Sequence, residues 1–257
     1  MSDTSPFEPV GHESVADAAI EQIESMIVDG ILKEGRKLPS ERELAEAMGI
    51  SRPKLREALQ VLETRGLINV RHGEGSFVAS LTGNAMSPAL LALYARHGSA
   101  FYDYLEYRRE QEVFACRLAA MRATAPDKER LREILQKMIT AWEEGDLETG
   151  KQADFDLHVA MVDASQNTTL IHMMASVYDL TRQGVFYNRD FLRTLDGAGK
   201  KLLDQHIEIV EAICSGDPKR AEDAARAHMD FVEESFRQTQ AQKERETRAA
   251  KRRQLAT

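Results

Sequence analysis

Cysteine, aromatic residues and long apolar runs are all scarce in this 257-residue chain. The two cysteines, Cys116 and Cys214, lie far apart within helical apolar patterns, so no disulfide is expected and a reducing cytoplasm is the simple interpretation. No run of about 18 apolar residues occurs, which predicts no membrane span. The N-terminal residues lack a basic segment followed by an apolar one, so no signal peptide is expected.

Motifs of several common enzyme classes are also missing. The chain has no glycine-rich phosphate loop, no nucleophile elbow and no C-x-x-C pair. Aromatic residues make up 6% of the chain and charged residues 30%, a composition typical of a mostly helical protein. A length of 257 residues allows two domains, each with its own core.

The net charge of −8 conceals an uneven distribution. Residues 1–32 hold seven acids and no lysine or arginine, whereas residues 33–72 hold nine lysines or arginines and six acids. A DNA-binding face needs local positive potential rather than a basic chain. The second segment therefore remains a candidate for DNA binding.

Two short helices separated by a tight turn are predicted within this segment. Ser40 and Glu43 form a capping box that begins the first helix, and Gly49 ends it. Ser51 is expected to cap the second helix, which ends at Gly66. The pattern is typical of a helix-turn-helix.

A β-hairpin is predicted directly after these helices. Leu67, Ile68 and Val70 predict one strand, the glycine-flanked segment 73–75 a turn, and residues 77–78 the returning strand. With an additional helix over residues 14–30, residues 14–80 are expected to form a winged helix-turn-helix. Residues 1–13 are expected to be mobile, and residues 81–86 to form a linker.

The expected DNA-contacting positions carry basic and polar side chains. A recognition helix enters the major groove with its N-terminal residues, which here are Ser51, Arg52, Pro53, Lys54 and Arg56. Arginine can bond two acceptors of guanine, and lysine suits phosphate. The wing tip, His72-Gly73, allows close approach of the backbone because glycine lacks a Cβ. The alternative is a solvated basic helix with no DNA partner.

The rest of the chain predicts helices alone, in an all-α bundle suited to a ligand pocket. They are expected at residues 87–96, 100–123, 126–144, 147–165, 168–190, 197–215 and 217–246. Residues 237–257 carry seven lysines or arginines and two acids. This tail is either a frayed helix running into a solvated end or a source of non-specific attraction to the DNA backbone.

Four residues of the second domain form a candidate metal site. Asp154 and His158 are four apart and share a helix face, while His206 and His228 lie on two other helices among apolar residues. Imidazoles with a carboxylate suit a divalent metal such as Zn²⁺ or Ni²⁺. From spacing alone the alternative stays open, since a histidine on an apolar face is more often a core residue.

The N-terminal motif resembles a known family. The segment PSERELAEAMGISRPKLREALQVLETRGLI, followed by a G-x-G-[ST]-F-V wing, is similar to the DNA-binding domain of GntR-type bacterial regulators of the FadR subfamily. The resemblance implies operator contacts from Arg42, Ser51, Arg52, Pro53, Arg56, His72 and Gly73. Pro53 departs from the small polar residue usual at its position, so a direct bond to DNA is lost there.

The later segment DFDLHVAMVDASQN resembles the metal-binding signature of the FCD effector domain. Together with the segment around His206 and His228, it implies that Asp154, His158, His206 and His228 hold a divalent ion. Zinc is expected, with nickel or manganese as alternatives. The resemblance implies an FCD-type bundle over residues 87–236 and leaves His172 outside the metal pattern, as a structural residue.

The segment YDYLEYRREQEVFACRLAA resembles a helix of the pyruvate-, lactate- and glycolate-responsive members. This resemblance places Arg108 at the effector pocket, where its fork could hold the carboxylate of a small 2-hydroxy or 2-oxo acid. The alternative is a surface ion pair with Glu112, four residues further on.

Together these features predict a mainly α protein, not an enzyme, with a winged helix-turn-helix and an FCD-type bundle. We expect a cytoplasmic homodimer that binds a palindromic operator as a repressor, and a small organic acid bound at the metal that controls this binding. The alternatives are a metal-dependent enzyme that uses the three histidines and the aspartate, or a regulator that binds a long acyl ligand.

Overall fold

A computed structural model of the chain describes residues 14–81, 98–182 and 198–255. The chain divides into two compact units, residues 1–83 and 84–257. The described parts contain nine helices and one two-stranded sheet, which confirms the mainly α fold class. The predicted mobile N-terminus over 1–13, the helix over 87–96 and residues 82–86 of the linker lie outside the described residues.

The first unit consists of three helices and a hairpin. They are α1 (Val15–Val28), α2 (Glu41–Met48), α3 (Arg52–Thr64), β1 (Ile68–Arg71) and β2 (Gly75–Val78). The predicted capping box at the start of α2 is present, because Ser40 and Glu43 each accept a hydrogen bond from the other's backbone N–H. Gly49 ends α2 in the left-handed conformation, with φ of 65°.

The predicted cap of α3 is only partly correct. Ser51 has the extended backbone of an N-cap residue, but its side chain makes no capping hydrogen bond. A capping hydroxyl normally bonds the N–H of the second or third helical residue. The second is Pro53, which has no N–H, so half of the usual partners are missing.

The core of the first unit joins α3 to α1. Leu55, Leu59 and Leu62 of α3 are buried, as are Ile20 and Ile23 of α1. These side chains belong to one apolar cluster, to which Ile68 and Val78 of the hairpin also contribute. These three leucines therefore form the buried face of α3, and the basic residues of its first turn remain outside the core.

The hairpin has a third partner that the sequence pattern did not reveal. β1 and β2 pair antiparallel, with Ile68 opposite Val78 and Arg71 opposite Gly75. Lys37 forms an isolated bridge with Phe77. The amide of Leu38 also donates to the carbonyl of Ser76 over 2.9 Å. The chain before α2 thus pairs with β2, the second strand of the hairpin.

The second unit is built from six described helices. They are α4 (Gly98–Arg122), α5 (Ala125–Glu144), α6 (Leu147–Ala164), α7 (Thr168–Arg182), α8 (Ala198–Ser215) and α9 (Pro218–Leu255). Helix α4 packs on α6, α7, α8 and α9, so it is the central helix of the described bundle. The predicted bounds of α4, α5, α6 and α8 differ from these by no more than two residues. Residues 183–190 of the predicted 168–190 helix lie outside the described residues.

Helix α9 is longer than predicted. It was expected to end near residue 246, but it continues to Leu255. No glycine or proline interrupts this stretch, and its alanine, glutamate, glutamine, lysine and arginine residues have high helix propensity. Gln240 and Gln242 also donate to Glu244 and Glu246, four residues on.

None of the helices in the described part of the chain has the length and apolar character of a membrane span.

Candidate functional site

The N-terminal turn of α3 presents its basic side chains to the surface. The side chains of Arg52, Lys54 and Arg56 are 57%, 48% and 63% exposed. None belongs to the buried stripe of the helix. The structure therefore places these residues, together with Ser51 and Pro53, where a recognition helix offers its side chains to DNA.

An acidic residue of α2 contacts two of these arginines. Oε2 of Glu41 accepts a hydrogen bond from Nε of Arg56 over 2.7 Å and lies 3.7 Å from Nη2 of Arg52. Sequence inspection singled out both arginines but not this glutamate, which becomes their neighbour only when α2 packs on α3. Arg42, the other predicted contact on α2, is exposed and lies 3.8 Å from Glu46.

The wing tip is an exposed turn, and a side-chain contact between the two strands holds the strand that leads into it. Gly73 has a φ of 78°, a left-handed conformation that glycine adopts without strain. His72 beside it is exposed. The guanidinium of Arg71 stacks 4.4 Å from the ring centre of Phe77, a cation–π contact that fixes the strand leading into the turn.

Three buried histidines meet inside the second unit. His158 of α6, His206 of α8 and His228 of α9 are each no more than 2% exposed. One ring nitrogen from each lies within 4.8 Å of the others. The structure thus brings together the three histidines that the sequence singled out, whereas His172 on α7 is not part of this group.

The spacing of the donor atoms fits a metal-binding group. Nε2 of His206 lies 3.4 Å from Nε2 of His158 and 3.4 Å from Oδ1 of Asp154. Two ligands on a tetrahedral zinc ion, each bonded at about 2.0–2.1 Å, are about 3.4 Å apart. Asp154 is not part of the group of three mutually close histidines; 24% of its side chain is exposed, and it lines the same pocket.

Glu112 of α4 fixes the orientation of one imidazole. Its Oε2 lies 2.7 Å from Nδ1 of His158. Burial alone would raise the pKa of Glu112, but the charge of Arg108 and the hydrogen bonds from Arg108 and His158 outweigh it and hold this pKa well below its usual range. A carboxylate only accepts hydrogen bonds, so Nδ1 carries the proton and the Nε2 lone pair of His158 faces the other histidines.

His228 is oriented in a similar way. Its Nδ1 lies 3.3 Å from the side-chain oxygen of Gln205. An amide oxygen accepts a hydrogen bond, which again favours a proton on Nδ1 and a lone pair on Nε2. Two of the three imidazoles therefore carry a partner that turns a ligand nitrogen towards the group.

Arg108 is a buried cation at the same pocket. It is 1% exposed, and its Nε donates to Oε1 of Glu112 over 2.5 Å. Its guanidinium also lies 5.5 Å from the ring centre of Tyr178, whose hydroxyl donates to Glu112 over 3.1 Å. The alternative, a surface ion pair with Glu112, is only partly correct: the pair forms, but it is buried and Arg108 lines the cavity.

The cavity beside these residues is small and mixed in character. Its volume is about 40 Å³. Its polar lining includes Arg108, Lys151, Asp154 and the three histidines, and its apolar lining includes Met138, Trp142, Leu202, Leu203, Met229 and Val232. Lys151 and Trp142 were missed by sequence reasoning. Lys151 lies three residues before Asp154, so the two share a helix face, and this spacing could have identified Lys151 from the sequence.

The two cysteines are apart in the second unit. Both are free thiols, Cys116 buried and Cys214 partly buried. Burial, with the charge of Glu112, raises the pKa of the Cys116 thiol far above its usual range. No disulfide therefore contributes to this fold among the described residues, in agreement with the expectation from their spacing.

The two units together define a DNA-binding transcription regulator with a separate effector domain. Residues 15–78 match the profile of bacterial regulatory proteins of the gntR family, and residues 103–231 match that of the FCD domain. The chain belongs to the gntR family, in the FadR-type branch that carries an FCD domain.

Several relatives extend over most of the chain. The HTH-type transcriptional regulator LutR of Bacillus subtilis is 35% identical over 81% of this chain and 95% of its own length. The Glc operon transcriptional activator of Escherichia coli K12 is 35% identical over 86% of this chain and 89% of its own. A protein of the same organism named for regulation of the L-lactate dehydrogenase operon is 32% identical over 85% of this chain and 84% of its own. These relatives are regulators, not enzymes.

A solved structure supports the fold. A GntR protein from Streptococcus agalactiae matches with a TM-score of 0.52 over 86% of this chain and 99% of its own. At 23% identity this likeness concerns the fold alone.

Proposed function

We propose that this regulator senses a small 2-hydroxy or 2-oxo acid in a metal-containing pocket of its second unit. The observation that carries the proposal is the convergence of three buried imidazoles and the buried Arg108 on one cavity. Arg108 is a buried cation beside the histidines that would hold the metal, so an anion could be bound by the arginine and the metal ion together.

Under this proposal His158, His206, His228 and Asp154 hold the divalent ion. Zinc suits this set of nitrogen and oxygen ligands, with nickel and manganese as the alternatives that metal analysis distinguishes. When bound, the ion supplies a Lewis acid for oxygen atoms of the effector. Arg108 binds the effector's carboxylate while Glu112 keeps that arginine and His158 in place.

The size of the cavity supports a short effector. A cavity of about 40 Å³ suits a small acid. A long acyl chain needs a larger apolar tunnel. The relative named for the L-lactate dehydrogenase operon supports the same class of ligand, and we propose a lactate-like acid for this chain.

On the DNA side, we propose a cytoplasmic homodimer on a palindromic operator. The symmetry of the two half-sites then mirrors that of the protein. The acid biases the dimer between DNA-competent and DNA-incompetent states, and its binding relieves repression. One relative is named an activator, so a transcription assay has to detect both repression and activation.

Metal analysis combined with effector titration tests this proposal. The purified protein is analysed for metal by mass spectrometry. Its affinity for operator DNA is then measured with L-lactate, glycolate, pyruvate and, separately, a long-chain acyl-CoA. We expect about one ion per chain and a change in operator affinity with a short acid. A response to the acyl-CoA alone, or an unchanged response after metal removal, would contradict the proposal.

A further inference from the structure

The C-terminal part of α9 leaves the body of the second unit. Every described side chain from residue 240 to residue 253 is exposed, on all faces of the helix. Sixteen helical residues, 240–255, extend for about 24 Å. The FCD match ends at residue 231, so this segment lies beyond the part of the chain that the domain profile describes.

This segment is basic in a chain that is acidic overall. Residues 240–255 carry six lysines or arginines and two glutamates, a net side-chain charge of +4, against −8 for the whole chain. Arg245, Arg248 and Arg252 follow the spacing i, i+3 and i+7, which places them on one face. Among the described residues, none of these three arginines forms an ion pair with an acid. Nε of Arg248 donates a hydrogen bond to the backbone carbonyl of Glu244.

The helix dipole accounts for only part of this charge. Cations stabilise the C-terminal end of a helix, but the effect falls off within the last turn. Arg252 and Arg253 lie in that turn. Arg245 and Arg248 lie upstream of it, so the stability of the helix end does not require them.

We propose that the face formed by Arg245, Arg248 and Arg252 binds the phosphate backbone of double-stranded DNA next to the operator. A helix with no apolar face has no reason to pack on another protein core, whereas a row of arginines is complementary to phosphate. The same chain carries a DNA-binding domain, so a polyanion is present whenever it acts. The contact adds affinity and salt dependence without reading bases.

The test compares the full chain with Arg245→Gln/Arg248→Gln/Arg252→Gln. Glutamine removes the charge and keeps high helix propensity. The control is Arg132→Gln/Lys137→Gln/Lys128→Gln on α5, which removes the same charge from another helix. Affinity is measured on operator and on scrambled DNA of equal length, from 50 to 200 mM salt. Circular dichroism monitors the helix content of each variant.

We expect the tail variant to bind both DNAs more weakly, by roughly tenfold at low salt. The slope of log affinity against log salt should fall by roughly 2 to 3 per chain, since each phosphate contact contributes ~0.9. Affinities and slopes equal to those of the control variant would overturn the proposal. So would tighter binding by the tail variant, because the tail would then be paired with acids of the protein itself. A chain that ends at residue 239 repeats the comparison if the triple variant loses its helix.

Discussion

Oε2 of Glu112 lies 2.7 Å from Nδ1 of His158, and both side chains are 3% exposed. The other carboxylate oxygen of Glu112 accepts a hydrogen bond from Arg108. One buried glutamate therefore contacts both the proposed effector-binding arginine and a proposed metal ligand. Partners of this kind orient ligand histidines and raise their basicity.

Replacing Glu112 by Gln should weaken metal binding by about 10- to 100-fold. A glutamine amide offers one acceptor oxygen, so it cannot accept bonds from both Arg108 and Nδ1 of His158 through separate oxygens. Competition with a fluorescent zinc chelator measures the affinity. Glu110→Gln, on the same helix but facing Arg226 at the surface, is the matched control. Equal zinc affinities for the two variants would argue against the orienting role of Glu112.

Replacing Arg52 by Ala should weaken operator binding by ~1–3 kcal/mol if the arginine reads a base. The fold should be retained, because Arg52 lies outside the buried stripe of α3. Lys54→Ala is the informative comparison, since loss of a phosphate contact weakens operator and scrambled DNA alike. Binding is titrated at one fixed salt concentration. Unchanged operator affinity for both Arg52→Ala and Arg56→Ala would remove the proposed role of this helix turn in DNA reading.

Glu41→Gln should lower the ratio of operator to non-operator affinity. The carboxylate of Glu41 holds Arg56 at 2.7 Å and would repel a nearby phosphate. Its neutralisation frees two arginines for non-specific contacts and removes a constraint on their direction. Glu24→Gln on α1 is the control, since Glu24 pairs with Arg65, which is not a predicted DNA contact. A ratio that stays constant or rises with Glu41→Gln would contradict the proposed contribution of this ion pair to specificity.

Local signals in the sequence were sufficient for most helix bounds, but not for the end of α9 or for all contacts between helices. The capping box at Ser40 and the glycine at 49 depend on neighbours in the chain, and both are present in the structure. The bridge between Lys37 and Phe77 joins residues 40 positions apart. It could not be predicted because a single bridging residue such as Lys37 has no alternating pattern that would indicate a strand. The contact of Glu112 with His158 likewise depends on how α4 packs on α6. Periodicity identifies which face of a helix is buried, but not which helix lies opposite.

The two cysteines should differ in reactivity in the native protein. Cys116 is fully buried and the pKa of its thiol is raised, so little reactive thiolate forms at neutral pH. Cys214 is partly buried and should be alkylated first. Mass spectrometry after a timed iodoacetamide pulse measures both, and denaturation should expose two thiols per chain. Finding no free thiol after denaturation would mean a disulfide and would contradict both the structure and the proposed cytoplasmic location.

Replacing His206 by Ala should separate effector sensing from DNA binding. Its Nε2 lies 3.4 Å from both His158 and Asp154, so the loss of this ring removes the donor between them. Metal affinity should fall about tenfold or more, and the short acid that shifts operator binding in the wild type should have no effect. Operator binding itself should persist, because the winged helix-turn-helix belongs to the other unit.

His172→Ala is the matched control for this change, since His172 lies on α7 outside the histidine group. It should keep about one ion per chain and a normal response to the acid. Thermal unfolding with and without EDTA adds a second readout, because an ion that binds the folded state stabilises it. EDTA should lower the melting temperature of the wild type and His172→Ala, and have little effect on His206→Ala. If His206→Ala keeps stoichiometric metal and a normal acid response, the four-residue site is wrong. If it unfolds and the wild type carries no metal, the histidine cluster is a structural core.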